Sequence, residues 1–316
     1  RGVPAECGRA GMSAAAESPG ARRGAVYDRS YRPYEGPRGR RAAATAALYR
    51  ASIRRALGLR RSWRQKVAPF VLLAVVSVPA IVNVGIGYIT RERRLPIEII
   101  TYRDYVGVSS ALLLFVALVA PDVMCPDRRQ RVLPLMFSRP LVGTDYVVAK
   151  VGSITTILFA FSFLPQVVLF VGNMLVSDSA LDYFTGHLDV LWQVPASVAL
   201  LAVYYAVVGC AVASLTDRRI VAGASVIGLF LVTSIASAVI VDNGPDRGPS
   251  PGSPGALVNV LRLPLYLRDL VFLGHVDPAS PLGGVDRGGM YAVGLYVAVL
   301  GLGLGVLWRR YRWVER

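Results

Sequence analysis

Six long apolar runs divide this chain, at residues 67–90, 105–120, 147–176, 190–215, 220–241 and 290–308, separated by polar connections rich in arginine. A helix needs about 20 apolar residues to cross a hydrocarbon core, and each run reaches or approaches that length. The second is the shortest, and its apolar character continues through 121–124. No segment alternates apolar and polar positions over ten residues as a barrel strand would, and lipid leaves an open sheet edge unsatisfied. The pattern predicts an all-α integral membrane protein with six transmembrane helices. Pro69, Pro79, Pro165 and Pro195 fall inside or at the ends of these helices, where proline starts or bends a helix.

Before the first run, Ala46, Tyr49, Ile53 and Leu57 recur at helical spacing beside Arg50, Arg54 and Arg61. That spacing predicts an N-terminal interfacial amphipathic helix over 42–66, and a plain basic flank that sets topology is the competing reading. Residues 1–41 are rich in Ala, Gly, Pro and Arg and read as a disordered basic tail carrying Tyr27, Tyr31 and Tyr34. Residues 1–11 precede Met12 and are set aside, and the first apolar run begins too late for a secretory signal. The remaining 67–316 form the six-helix transmembrane domain, with a polar loop at 122–146 and a long loop at 242–289. The long loop opens with DNGPDRGPSPGSPG and continues, at 256–274, with ALVNVLRLPLYLRDLVFLG. That segment is too short and too charged to span, and reads as an interfacial or re-entrant helix or as a cap over the bundle.

A mean hydropathy of +0.48 with 17% charged residues is too apolar for an ordinary soluble domain. The net charge of +15 would suit nucleic acid, but the arginines sit in the tail and the short connections, so nucleic acid is not expected as a partner. Placing the N-terminus inside puts most of the 35 Lys and Arg residues in the cytoplasm. The expected topology is N-in/C-in, multi-pass, in the plasma membrane. Arg91, Arg93, Arg94 and Arg103 fall outside in this scheme, partly offset by Glu92, Glu98 and Asp104.

The chain carries no GxxxxGK[ST], no HExxH and no GxSxG, so neither an ATPase site nor a catalytic residue is expected in it. Cys7, Cys125 and Cys210 lie far apart, and His187 and His275 stand alone, which predicts neither a disulfide framework nor a metal site. No ionisable residue lies near the middle of a predicted span, which disfavours ion coupling. Asn83, Gln166, Asn173 and Gln193 are the strongest polar groups in or near the spans and read as interhelical hydrogen-bonding residues. A GxxxG at Gly301 and Gly305, with Gly294 and Gly303 on the same run, reads as a surface for close helix packing, within the subunit in preference to across a dimer. Ala222, Gly223, Ala224, Ser225 and Gly228 of the fifth run support the same reading.

If such a chain moves something uphill, the free energy must arrive from another subunit, and the loop at 122–146 is the place for its delivery. That loop and the start of the next run contain, in order, Asp127, Arg128 and Arg129; Leu133, Pro134 and Leu135; Ser138, Arg139 and Pro140; and Asp145, Tyr146 and Lys150. This order and the six-span plan resemble the permease subunits of ABC-2 type ABC transporters. The stretch 131–134 departs from the Gly-Thr-Leu-Glu-like sequence that many members carry there, which leaves the start of the coupling helix open. The resemblance implies an exporter permease that docks on a separate ABC ATP-binding subunit. The residues it implicates are Asp127, Arg128, Arg129, Arg131, Leu133, Pro134, Ser138, Arg139, Pro140, Asp145, Tyr146 and Lys150. It further implies a permease dimer in membrane lipid, with ATP and Mg bound by the partner and no cofactor in this chain. The alternatives are a stop-transfer hairpin whose arginines bind headgroups, and a membrane scaffold or sensor that recruits partners without transport. The cargo is not legible.

Overall fold

The described part of each of the six apolar runs is mainly helical, the second being shared between two helices, in the computed structural model, which describes residues 40–58, 63–92, 101–106, 109–137, 141–177, 179–242 and 252–312. The elements are α1 (Arg41–Ala56), α2 (Trp63–Glu92), α3 (Tyr102–Val106), α4 (Ser109–Arg129), α5 (Leu133–Phe137) and α6 (Gly143–Val176). There follow α7 (Ala180–Gly186), α8 (Leu188–Ala213), α9 (Arg219–Asp242), a 3-10 turn at Pro254–Val258, α10 (Leu263–Leu273) and α11 (Gly288–Arg312). No strand occurs among the described residues. Five stretches are long and apolar enough to cross a membrane: Tyr102–Arg129, Gly143–Val176, Leu188–Ala213, Arg219–Val241 and Gly288–Arg312. Within α2 the apolar part is the shorter Leu73–Ile89. These helices mark a membrane protein. The expected basic tail, residues 1–39 of it, lies outside the described residues.

The centre of the bundle is α8, which packs against α3, α4, α6, α9, α10 and α11. Its Val198, Leu201, Ala202, Tyr204, Tyr205 and Ala206 are all buried, as expected for a helix that is apolar all round and enclosed by neighbours. The other helices keep one face inward and leave aliphatic side chains outside, such as Leu231, Val232 and Ile235 on α9 and Val297 and Leu302 on α11. In water such faces would be a liability, and in hydrocarbon they are the solvated surface. On the rim, α2 packs mainly on α6 and exposes Phe70, Val75, Ile81 and Ile89.

Small residues set two close approaches. A Cβ on Gly209 of α8 would stand 2.2 Å from Val116 of α4, and one on Gly223 of α9 would stand 2.9 Å from the Ala117 carbonyl oxygen of α4. The expected packing role of Gly301 and Gly305 within the subunit is not what is seen. Both face open space, and it is Gly303, on the opposite side of α11, that meets Val207 of α8. Residues two apart on a helix cannot share a face, so one side of the glycine cluster had to turn outward. Of the fifth-run residues, Ala222 and Gly223 face α4, whereas Ala224 and Ser225 are exposed and Gly228 meets open space.

The segment 252–274 turns back into the bundle. Ser234 donates to the Asn259 side-chain oxygen at 3.1 Å and Ser237 to the Gly255 carbonyl at 3.2 Å, so the 3-10 turn sits against α9 about two turns back from its C-terminal end. Irregular backbone at that depth is tolerated only where protein satisfies its polar groups. Tyr204 and Tyr205 of α8 do this, donating to the carbonyls of Val260 (2.9 Å) and Leu261 (2.8 Å). The chain then leaves along α10, whose Leu263, Tyr266 and Leu267 are buried.

At the far end of α10 a clasp joins distant segments. Arg268 binds Asp269 at 2.7 Å and donates to the Arg103 carbonyl at 2.9 Å, while the Arg103 guanidinium pairs with Asp277 at 3.0 Å. The Ala279 N–H and the Arg103 guanidinium hold the Asp277 carboxyl below its ordinary 3.8, against the opposing pull of burial. A depressed carboxyl contributes stability that is complete above pH 3.8 and is lost as pH falls through the folded value. We therefore expect amide protection across 276–280, taken relative to the intrinsic exchange rate at each pH, to fall on acidification below about pH 4, and to be lower at every pH in Asp277→Asn.

Candidate functional site

The two ends of the polar connection are helical, so the free connection is shorter than the expected 122–146. Helix α4 continues to Arg129 despite Pro121 and Pro126, and α6 begins at Gly143. The Arg131 N–H bonds the Arg128 carbonyl at 3.0 Å and the Val132 N–H the Asp127 carbonyl at 3.2 Å, with Arg131 itself left-handed at φ 52°. This is the geometry that ends a helix by turning the chain sharply back. The single helical turn α5 follows, with Leu133 buried, Met136 and Phe137 packed on the core, and Pro134 exposed.

Directly beneath lies a buried charge cluster. Asp127, at 0% exposure, accepts from three donors on two other helices: the Lys150 ammonium (2.6 Å), the Tyr146 hydroxyl (3.0 Å) and the Arg55 guanidinium. Lys150, at 1% exposure, also donates to the Val123 carbonyl at 3.1 Å and lies 5.4 Å from the centre of the Tyr146 ring. Tyr146 in turn packs against Tyr311 of α11, with ring centres 4.7 Å apart. One carboxylate thus gathers α1, α4, α6 and, through the tyrosine pair, α11. A buried ion pair contributes little net stability compared with apolar residues of the same shape, but losing one partner is costly, so it imposes one arrangement on the helices that share it.

Further ion pairs brace the same end. Arg128 donates to the Ser214 carbonyl and pairs with Asp217 at 3.0 Å, and Arg219 pairs with Asp122 at 2.6 Å, so two bridges hold α4 to the α8–α9 turn. Asp145 accepts from the Val142 N–H at 3.3 Å at the start of α6 and is gripped by Arg41 at 2.5 and 2.9 Å. A carboxylate in the first turn suits the positive end of a helix. Helix α1 crosses α6 from there, with the Tyr49 hydroxyl 2.7 Å from that of Thr156, and its Leu48, Ser52, Ile53 and Ala56 face the bundle while Arg50 and Arg54 face out.

The residues expected to meet a partner therefore fall into three groups. Asp127, Tyr146, Lys150 and Leu133 are buried and present no surface for docking, and Arg128 and Asp145 are committed to bridges within the chain. Arg129, Arg131 and Pro134, with Gln130, form the exposed tip. Ser138, Arg139 and Pro140 lie outside the described residues. Sequence reasoning missed Arg55, Asp122, Asp217, Arg219 and Tyr311. The signal for Arg55 was present: it shares the α1 face of Ser52 and Ala56, and a basic residue on an inward face demands a carboxylate.

Among the described residues no group of histidine, cysteine or carboxylate side chains could hold a metal. Cys125 and Cys210 are buried thiols, and His187 and His275 each bond a nearby carbonyl on their own segment. No family model and no curated protein matches this chain.

Proposed function

We propose that the chain is the permease subunit of an ATP-driven ABC-2 type exporter, with α2 as the first of six spans, α1 at the inner membrane surface and both termini in the cytoplasm of a plasma-membrane protein. The observation that carries this reading is the placement of the exposed tip directly on the Asp127 cluster. Asp127 is only two residues from Arg129, and its ligands stand on α1 and α6, so a partner that displaces the tip must displace several helices together. Packed elements of this kind shift in discrete steps rather than deform smoothly. In this scheme Arg129, Arg131 and Pro134 touch the ATP-binding subunit, and Asp127, Tyr146 and Lys150 transmit the movement. ATP and Mg belong to the partner.

Exchange of Arg129 and Arg131 together for Glu separates contact from folding, because both side chains are exposed. The double variant should keep its helicity and melting temperature, since surface changes are usually worth no more than about 0.5 kcal/mol. ATP hydrolysis that co-purifies with the wild-type chain in mild detergent should fall about tenfold or more, as removal of desolvated charge contacts costs roughly 2 kcal/mol or above. Undiminished co-purifying hydrolysis would remove the basis for this assignment.

A further inference from the structure

We propose that the cleft between α3, α6 and α8 binds an uncharged, lipid-soluble molecule that carries a single hydroxyl or amide on a ring-sized apolar body. The cavity has a volume of roughly 130 Å³ and is lined by Tyr102, Phe163, Gln166, Phe170, Val194 and Pro195, among others. Gln166 is 2% exposed, and among the described residues neither its amide nitrogen nor its amide oxygen has a hydrogen-bond partner. Native proteins pair the great majority of such groups, and an orphaned amide in an otherwise apolar cleft calls for an occupant. By contrast Asn173, about two turns further along α6, donates to the Tyr102 hydroxyl at 3.2 Å, as interhelical polar residues ordinarily do.

The chemistry of the lining selects the ligand. An amide donates and accepts, so a hydroxyl or amide satisfies it fully. No charged side chain lines the cavity, so a charged ligand would be desolvated without a counterion. A water at Gln166 would meet the amide but leave the aliphatic and aromatic walls unfilled, whereas a ring-bearing ligand meets both. In size the cavity resembles the engineered apolar cavities of about 150 Å³ that take up benzene. Val167 and Leu191 at its rim are 41% and 52% exposed, so the cleft opens sideways on the surface that hydrocarbon would cover. The ligand enters from the bilayer. Binding here stands apart from any coupling to an ATPase and is read without one.

The test is photolabelling of the full chain in phosphatidylcholine nanodiscs with a benzyl alcohol that bears an aryl diazirine. Labelling should map to the peptides containing 163–170 and 190–195, saturate, and fall about fivefold on competition with excess benzyl alcohol. Gln166→Leu, which removes the hydrogen bond, and Val190→Phe, which fills the cleft, should each lower it by a similar factor. A phenyl diazirine without the hydroxyl should label lipid-facing helices generally and without saturation. Equal labelling of Gln166→Leu and wild type, or non-saturable labelling by the alcohol, contradicts the proposal. So does failure of Gln166→Leu to fold, because the amide would then serve the bundle rather than a ligand.

Discussion

Lys150→Met should lower stability by about 3–5 kcal/mol, the usual cost of leaving one member of a buried ion pair behind. Asp127 would remain at 0% exposure, having lost its 2.6 Å partner, with Tyr146 and the third-exposed Arg55 as its remaining donors among the described residues. Denaturation in mixed detergent micelles, followed by helical circular dichroism, reads the loss directly. The informative comparison is with Asp127→Leu/Lys150→Met, which removes both charges and returns most of the stability, because replacement of a whole buried pair by apolar residues is often neutral. Arg55 can then turn its guanidinium to solvent. A loss below about 0.5 kcal/mol for the single variant would show that water reaches the cluster and that it does not clamp the helices. If the cluster transmits movement, the double variant should fold normally yet transport nothing.

Gly223→Val should cost about 2–3 kcal/mol through overpacking. Pro121 supplies no N–H to the Ala117 carbonyl, so that oxygen is left turned toward α9, and the hydrogens of Gly223 approach it where a Cβ would stand at 2.9 Å. The obstacle is backbone and cannot rotate away. Gly228 on the same helix meets open space, so Gly228→Ala should instead gain about 0.5–1 kcal/mol from helix propensity. Equal effects at the two positions would mean that α4 and α9 are not in close contact.

The apolar runs were enough to place every long helix, since a span must be apolar for its full length whatever it packs against. Ends were harder to read. Helix α4 runs past Met124 to Arg129 because Asp122, Asp127 and Arg128 each find a partner on another segment, and such pairings are invisible from composition. The orientation of Gly301 and Gly305 was misread for a related reason: spacing shows which residues share a face, not which face meets a neighbour. The 256–274 segment was too short and too charged to span, which left an interfacial helix, a re-entrant helix and a cap open, and its path was decided by Tyr204, Tyr205 and Ser234, contributed by helices far away in sequence. The candidate site was legible as a set of residues but not as an arrangement. Asp127, Tyr146 and Lys150 stood out beside Arg129 and Arg131, yet only the fold separates those that lock the helices from those that face outward.

Cross-linking from a Gln130→Cys chain in native membranes probes the tip that the proposed partner would touch. Gln130 is exposed between the two outward arginines, Cys7 is replaced by Ser in the same chain, and Cys125 and Cys210 are buried and should stay silent. An adduct with an ATP-hydrolysing subunit, its yield differing between the nucleotide-free and vanadate-trapped states, is the expected result. Absence of any such adduct, with the same cysteine labelled from outside intact cells by an impermeant maleimide, would contradict a coupling role.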